Sequence, residues 1–161
     1  MNDIGADIKL KVKYYKQDNV YTCGPVSLQM VFKFLGVFID EKRMSKIAGA
    51  SKTGGTSHKM MKRAVMKSGL FCRAKSNSSM KDIRSILSQK LPVIVNFVEP
   101  SEEVGHYAVV VGLEGDELLF NDPWNGKDFR MKENDFLGRW RNGRNTSRRW
   151  LMAVSKTPVF F

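Results

Sequence analysis

Hydrophobic and polar positions follow different periods in the two halves of the chain. From Gly24 to Ser88, apolar residues recur at intervals of three and four, the spacing that gives a helix one buried face. Serine, aspartate and glycine residues stand at the ends of these stretches, where helix caps are expected. The pattern predicts four helices, over residues 24–36, 40–48, 57–69 and 79–88.

The second half of the chain favours strands. Its apolar runs are short, rich in β-branched residues and separated by turn residues such as Gly115 and Asp116. Residues 8–15 and 70–74, earlier in the chain, also have a sequence pattern typical of strands. A short helix is predicted over residues 132–140. The predicted strands cover residues 8–15, 70–74, 92–98, 106–114, 117–123, 127–131 and 150–155. Helices that precede strands predict an α+β fold, in which N-terminal helices pack on a C-terminal antiparallel sheet.

Composition narrows the class of protein. A length of 161 residues with 42% hydrophobic residues predicts one domain over residues 1–161 with its own core. No apolar run has the length of a signal peptide or membrane span, so we expect a cytoplasmic protein without membrane insertion. The two cysteines and two histidines form no ligand-spaced group, so neither a metal nor another cofactor is predicted. The oligomeric state is left open.

The net charge of +11 favours anionic partners, and the basic residues are densest near the C-terminus. The stretch "GRWRNGRNTSRRW", from Gly138 to Trp150, interleaves arginines with tryptophans. This composition suits an anionic partner through phosphate contacts or base stacking, although a solvated loop is the more common structure for such a stretch. The arginines concerned are Arg139, Arg141, Arg144, Arg148 and Arg149.

One cysteine lies where a reactive thiol is expected. In "QDNVYTCGPVSLQM", Cys23 comes just before Gly24 and Pro25, which open the first predicted helix. The partial positive charge of a helix N-terminus favours a thiolate over a thiol. Cys23 is therefore a candidate nucleophile, although a lone cysteine is more often a small buried hydrophobe. Cys72, in an apolar strand, fits the latter description.

A thiolate nucleophile commonly works with a base, and the base with an orienting group. His106 begins an apolar strand, whereas His58 begins a helix in a polar loop and is expected at the surface. If the strands on either side of Gly115 form a hairpin, the end of the second strand lies beside His106. Either Asp122 or its neighbour Asn121 can then accept a hydrogen bond from the His106 ring.

Two further groups complete a candidate site. The side-chain amide of Gln17 and the backbone N–H of Cys23 can both donate hydrogen bonds to a developing oxyanion. The loop before the third helix can line a substrate cleft through its backbone, or can simply connect two helices. Its candidate substrate-binding residues, with one aromatic residue next to His106, are Gly54, Gly55, Thr56, Ser57 and Tyr107.

These motifs together resemble the C39 family of papain-like cysteine peptidases, and its stand-alone domains in particular. The resemblance rests on "QDNVYTCGP", "GGTSHKMMKRAVMKSGL", "GHYAVVVG" and "NDP", and covers roughly Tyr14 to Trp124. It implies a papain-like fold in which Cys23 is the nucleophile, His106 the base, Asp122 the orienting residue and Gln17 the oxyanion donor. Members best known for function are domains of bacteriocin exporters that cut leader peptides after a double glycine.

The sequence therefore predicts a cysteine peptidase that acts on a peptide or protein substrate, with a double-glycine preference as one expectation. Three alternatives stay open. The same residues can transfer an acyl group to an amine or thiol instead of water. The chain can be a non-enzymatic basic module that binds an anionic partner. It can also be a catalytically silent domain that recognises peptides.

Overall fold

Three of the helices begin directly after a serine or aspartate whose side chain caps them. The computed structural model describes residues 5–161. Asp40 and Ser57 accept hydrogen bonds from backbone N–H groups in the first turns of their helices, and Ser79 forms a capping box with Asp82. The helices are α1 (Cys23–Phe34), α2 (Glu41–Ile47), α3 (His58–Lys67), α4 (Met80–Ser88) and α5 (Glu133–Arg139).

The strands form one seven-stranded sheet in which every pairing is antiparallel. They are β1 (Ile8–Lys9), β2 (Phe71–Lys75), β3 (Val93–Val98), β4 (Gly105–Glu114), β5 (Glu117–Asp122), β6 (Gly126–Lys132) and β7 (Leu151–Ser155). The order across the sheet is β2-β7-β3-β4-β5-β6, with β1 also beside β4. The predicted α+β class is thus confirmed.

The first strand is much shorter than its alternating sequence predicts. Only Ile8 and Lys9 pair with β4, opposite Leu113 and Gly112, beyond Val110, the partner of the first residue of β3. The close approach of the two backbones explains why β1 pairs at Gly112, because a Cβ on that residue would lie 2.3 Å from the carbonyl oxygen of Ile8. The chain can therefore approach β4 this closely only at a glycine.

Alternation along β4 sends neighbouring side chains to opposite faces of the sheet. His106 lies on the face that carries Phe97, with the two ring centroids 5.9 Å apart. Tyr107 lies on the other face, where its hydroxyl donates a hydrogen bond to the carbonyl oxygen of Thr56 and its ring packs beside Gly24. The first helix and the loop before α3 therefore lie against the Tyr107 face.

The tryptophans of the basic C-terminal stretch belong to the core. Trp140 is 2% exposed and Trp150 is 4% exposed. The Trp140 indole donates a hydrogen bond to the Trp150 carbonyl oxygen at 2.9 Å, and the Trp150 ring stacks on His58 with centroids 4.2 Å apart. Neither ring is free to stack on a nucleic-acid base, so that part of the sequence prediction is wrong.

The helices of residues 5–161 were compared with the length and composition of a membrane span. Within residues 5–161, no helix combines the length and the apolar composition that crossing a bilayer requires.

The contact between β1 and Gly112 predicts the effect of one substitution. Gly112→Ala should lower the free energy of unfolding by about 1–3 kcal/mol, because the added methyl group must displace the Ile8 backbone. Gly138→Ala is the matched control, since a Cβ there meets no atom within 4 Å. The control should be neutral or slightly stabilising. Equal urea midpoints for the two variants would contradict the close approach.

Candidate active site

Cys23 is the first residue of α1, and its neighbour fixes where the helix begins. A Cβ on Gly24 would lie 3.0 Å from the Met61 sulfur, 3.2 Å from the Thr56 Cβ and 3.3 Å from a ring carbon of Tyr107. Only a residue without a side chain fits comfortably between α3, the loop before it and β4. The close packing brings the half-buried Cys23 to the start of β4.

His106 is held between a carboxylate and the thiol. Its Nε2 lies 2.6 Å from Oδ1 of Asp122, and the Cys23 side chain lies near the same ring. Burial alone lowers the pKa of an imidazole. The hydrogen bonds and negative charges of Asp122 and Cys23 outweigh burial and raise the pKa of His106 to about 10. The ring therefore favours the imidazolium form.

Asp122 is buried and remains a carboxylate because donors surround it. Its Oδ1 accepts hydrogen bonds from the backbone N–H groups of Trp124 and Asn125, and its Oδ2 accepts one from the Asn125 side chain. Burial raises the pKa of a carboxyl, but the bond and charge of His106, with the two N–H groups, hold the pKa of Asp122 below its usual range.

Asn121 does not compete with Asp122 for the His106 ring. Its side chain donates a hydrogen bond to the Val12 carbonyl oxygen at 2.8 Å. Consecutive residues of β5 point to opposite faces of the sheet, so only Asp122 shares the face of His106. Of the two residues that the sequence left open, the structure brings Asp122 to the imidazole.

Gln17 lies beside the turn that follows Asp122. Its backbone N–H donates to the Pro123 carbonyl oxygen at 3.0 Å, and its side-chain Nε2 donates to the Asn19 carbonyl oxygen at 2.8 Å. The side chain is 6% exposed. An amide nitrogen carries two hydrogens, so one remains uncommitted within the described chain.

The loop before α3 is a compact turn supported by Tyr107. Ser51 and Gly55 exchange two backbone hydrogen bonds, and Gly55 has φ +57. The Ser57 hydroxyl caps α3, whereas Gly54 is exposed. Tyr107 is 5% exposed and holds the loop through Thr56, so its side chain supports the loop from beneath. Burial, with the charge of Cys23, raises the pKa of Tyr107.

A second carboxylate next to Asp122 was not anticipated. Glu99 is 1% exposed and accepts hydrogen bonds from Ser101 and from the Glu102 backbone. Burial raises its pKa, but these bonds and one from Asn125 hold the pKa below its usual range. The Asn125 amide thus donates to both Glu99 and Asp122. The only sequence signal is a glutamate and a serine in the turn "EPSEE".

His58 lies inside the molecule rather than at the surface, contrary to the sequence prediction. It is half-buried because Trp150 stacks on its ring, and burial lowers its pKa. Its Nε2 lies 3.3 Å from Oδ1 of Asn96, whose amide donates to the His106 carbonyl oxygen. His58 therefore contacts β3 through Asn96, and its ring centroid lies 6.0 Å from that of Tyr107 on β4. No three metal-binding side chains converge anywhere in residues 5–161.

This chain belongs to the Peptidase_C39 like family, whose sequence model matches residues 9–148. The fold and family are therefore those of cysteine peptidases, and the family is related to double-glycine leader peptidases. The match includes both the cysteine-bearing helix and the histidine-bearing hairpin.

Two relatives illustrate the range of the family. The lactococcin-G-processing and transport ATP-binding protein LagD of Lactococcus lactis is 29% identical over 135 residues, 81% of this chain and 18% of LagD. This chain therefore spans less than a fifth of the length of LagD. An uncharacterized protein of Methanothermobacter marburgensis is 27% identical over 113 residues, 70% of this chain and 72% of the relative.

Solved structures establish the papain-like C39 fold. The peptidase domain of Streptococcus ComA, described as a bifunctional ABC transporter involved in quorum sensing, superposes with a TM-score of 0.73 and 23% identity. It covers 91% of this chain and 100% of that domain. A double glycine motif protease from an AMS/PCAT transporter, solved with its leader peptide, gives a TM-score of 0.71 at 20% identity. That match covers 92% and 94% of the two chains.

The paired charges predict how His106 titrates. Its ring should stay protonated through neutral pH and lose its proton near pH 10, and Asp122→Asn should lower this midpoint because the carboxylate is removed. Imidazole chemical shifts measured by NMR across pH follow both histidines. Asp116→Asn, in an exposed turn, is the control.

The same shift predicts a pH dependence of stability. Because the folded pKa lies above the unfolded value of about 6.5, the contribution of His106 to the free energy of unfolding is complete below that pH and is lost as pH rises towards about 10.

For the NMR titration, a His106 midpoint that is the same in Asp122→Asn and in the wild type would contradict the ion pair.

Proposed function

We propose that this protein is a cysteine peptidase in which Cys23, His106 and Asp122 form a catalytic triad and Gln17 is an oxyanion donor. The observation that carries the proposal is the 2.6 Å contact between His106 Nε2 and Asp122 Oδ1, with Cys23, the first residue of α1, near the same ring. A base held in this way has one nitrogen committed to orientation and the other available for proton transfer with the thiol.

Peptide hydrolysis then proceeds through a thioester. The Cys23 thiolate attacks the carbonyl carbon, and the oxyanion accepts hydrogen bonds from the Gln17 amide and the Cys23 N–H. The His106 imidazolium gives its proton to the leaving amine, which departs as the C–N bond breaks. The neutral imidazole next takes a proton from water, whose oxygen attacks the thioester. Collapse releases the carboxylic product and restores the thiolate–imidazolium pair.

Asp122 contributes in both steps without leaving its place. Its carboxylate accepts the Nε2–H of His106, which fixes the ring orientation and stabilises the imidazolium each time it forms. The backbone donors of Trp124 and Asn125 keep this carboxylate ionised while it is buried.

The substrate is proposed to be a peptide with small residues at the scissile bond, including a double glycine. Gly54 and Gly55 leave the turn before α3 without side chains, and Thr56 and Ser57 continue its backbone towards α3. With Tyr107 beneath them, these residues are the proposed substrate-binding edge. The double-glycine protease of similar fold supports this choice, as does the processing role in the name of LagD.

The two cysteines provide a first test within one molecule. Iodoacetamide should modify Cys23 rapidly at neutral pH, because the neighbouring His106 ring is the proposed base for its thiol. Cys72 should react slowly at the same pH, since burial raises its pKa. Mass spectrometry of peptides taken over time measures both rates. His106→Ala should slow Cys23 but not Cys72. The proposal fails if Cys23 reacts no faster than Cys72.

Turnover separates the roles of the thiol and the amide. With a peptide that contains a Gly-Gly bond, Cys23→Ala should abolish cleavage while the protein stays folded. Gln17→Ala should reduce kcat by a factor on the order of 10²–10³, because one oxyanion donor is lost. Gln29→Ala, at a half-buried glutamine within α1, is the control.

Chromatography with mass detection identifies the two hydrolysis products, and circular dichroism checks the fold of each variant. Cleavage that persists in Cys23→Ala would overturn the assignment of the nucleophile. A kcat that is equal in Gln17→Ala and Gln29→Ala would remove Gln17 from the oxyanion site.

A further inference from the structure

The basic segment after α5 lies against the strand that carries His106. We call residues 141–149 the arginine loop. A Cβ on Gly105 would lie 2.7 Å from the backbone nitrogen of Gly143, and a Cβ on Gly143 would lie 3.1 Å from the nitrogen of Gly105. The two backbones are therefore in direct contact, and the contact falls on the residue immediately before His106.

This contact places the arginine loop on the same side of the sheet as Cys23. Residues two apart on a strand face the same side and are about 7 Å apart. Gly105 meets the arginine loop, and Tyr107 meets Gly24, the neighbour of Cys23. The arginine loop and the beginning of α1 thus both lie against the start of β4, two residues apart along the strand.

The arginine loop has a defined shape. Arg141 and Arg148 form an antiparallel bridge, and the Asn142 side chain accepts hydrogen bonds from the backbone of Thr146 and Ser147. Beneath the loop, the backbone N–H of Arg149 donates to the Trp140 carbonyl oxygen at 2.9 Å. Side chains on such a loop are presented from a fixed backbone, so binding requires little further ordering.

Three arginines of the arginine loop carry positive charge that no salt bridge within residues 5–161 neutralises. Arg144, Arg148 and Arg149 are exposed, and none forms a salt bridge within the described residues. Arg139, just outside the loop, differs because it pairs with Glu103. Arg149 also has φ +50, a strained conformation for an arginine that its backbone hydrogen bonds maintain.

From this arrangement we infer that the arginine loop binds carboxylate side chains of the peptide substrate, close to the scissile bond. The inference rests on the proposed function and names the class of substrate, an acidic peptide. A guanidinium binds a carboxylate in a bidentate geometry, which gives orientation as well as attraction. Single-stranded nucleic acid fits less well, because the tryptophans that would stack on bases are buried.

The test uses two alkylating reagents that differ in charge. Iodoacetate is an anion and iodoacetamide is neutral, so the ratio of their rates at Cys23 reports the electrostatic potential near the thiol. At about 10 mM salt, where the screening length is about 30 Å, Arg144→Gln with Arg148→Gln should lower this ratio about threefold or more. At about 1 M salt, the difference should disappear.

Two controls separate a local effect from a general loss of charge. Arg63→Gln with Lys67→Gln removes two exposed charges from α3 and should leave the ratio unchanged. Arg144→Lys keeps the charge of the arginine loop and should preserve most of the ratio. Replacing Arg148 also removes its hydrogen bond to Asn145. Arg144→Gln alone is therefore measured as well, and a smaller decrease of the iodoacetate-to-iodoacetamide ratio is expected.

The outcomes distinguish the two proposals. A ratio that falls only in the arginine-loop variants supports the acidic-peptide site. A ratio that does not change, or that falls equally in the α3 control, overturns it. The ratio is measurable even for a slowly reacting thiol. If Cys23 reacts with iodoacetamide no faster than Cys72 in the wild type, the peptidase proposal fails on that ground, independently of the ratio.

Discussion

The buried ion pair between His106 and Asp122 is the constraint around which the rest of the candidate site is arranged. Removing two charges from water is costly, and their mutual attraction compensates only when further hydrogen bonds satisfy the remaining lone pairs. The turn after β5 meets this condition with the N–H groups of Trp124 and Asn125. Tyr14 adds a hydrogen bond to the Asp122 carbonyl oxygen. Much of the local structure therefore serves to keep one carboxylate charged without exposing it.

This requirement extends to the loop before β4. The Asn125 amide joins Asp122 to Glu99, and the Trp124 indole donates to the Ser101 hydroxyl. Two turns that are distant in sequence are thus tied together at the end of the sheet. Each carboxylate receives its own donors, so two like charges can lie near each other without either taking up a proton.

The sequence predicted much of this arrangement because local signals were strong. Capping residues located α2, α3 and α4, and the alternating strands around Gly115 predicted that either Asp122 or Asn121 lies beside His106. The short β1 was not predictable, since its end depends on where β3 leaves the edge of β4 uncovered. The alternation of apolar and polar residues predicts a strand, but it does not show which neighbouring strand is free to pair with it.

Burial of polar and aromatic residues was the other difficulty. His58 follows a polar loop, and Trp150 follows a run of arginines, so neither neighbourhood indicates a core position. They become buried because they stack on each other from distant parts of the chain. Asn125 likewise acquires a role only after Glu99 is folded beside it. Pairwise contacts of this kind have no periodic signature, unlike the apolar face of a helix.

The position of β7 has a consequence for how the molecule is made. It follows every other strand in the chain, yet it lies between β2 and β3 inside the sheet. A ribosome delivers the cysteine-bearing helix early and this interior strand late, so β2 and β3 must wait for the strand that joins them. The sheet that supports His106 is complete only then. A growing chain would therefore carry its thiol before the sheet beside it is finished.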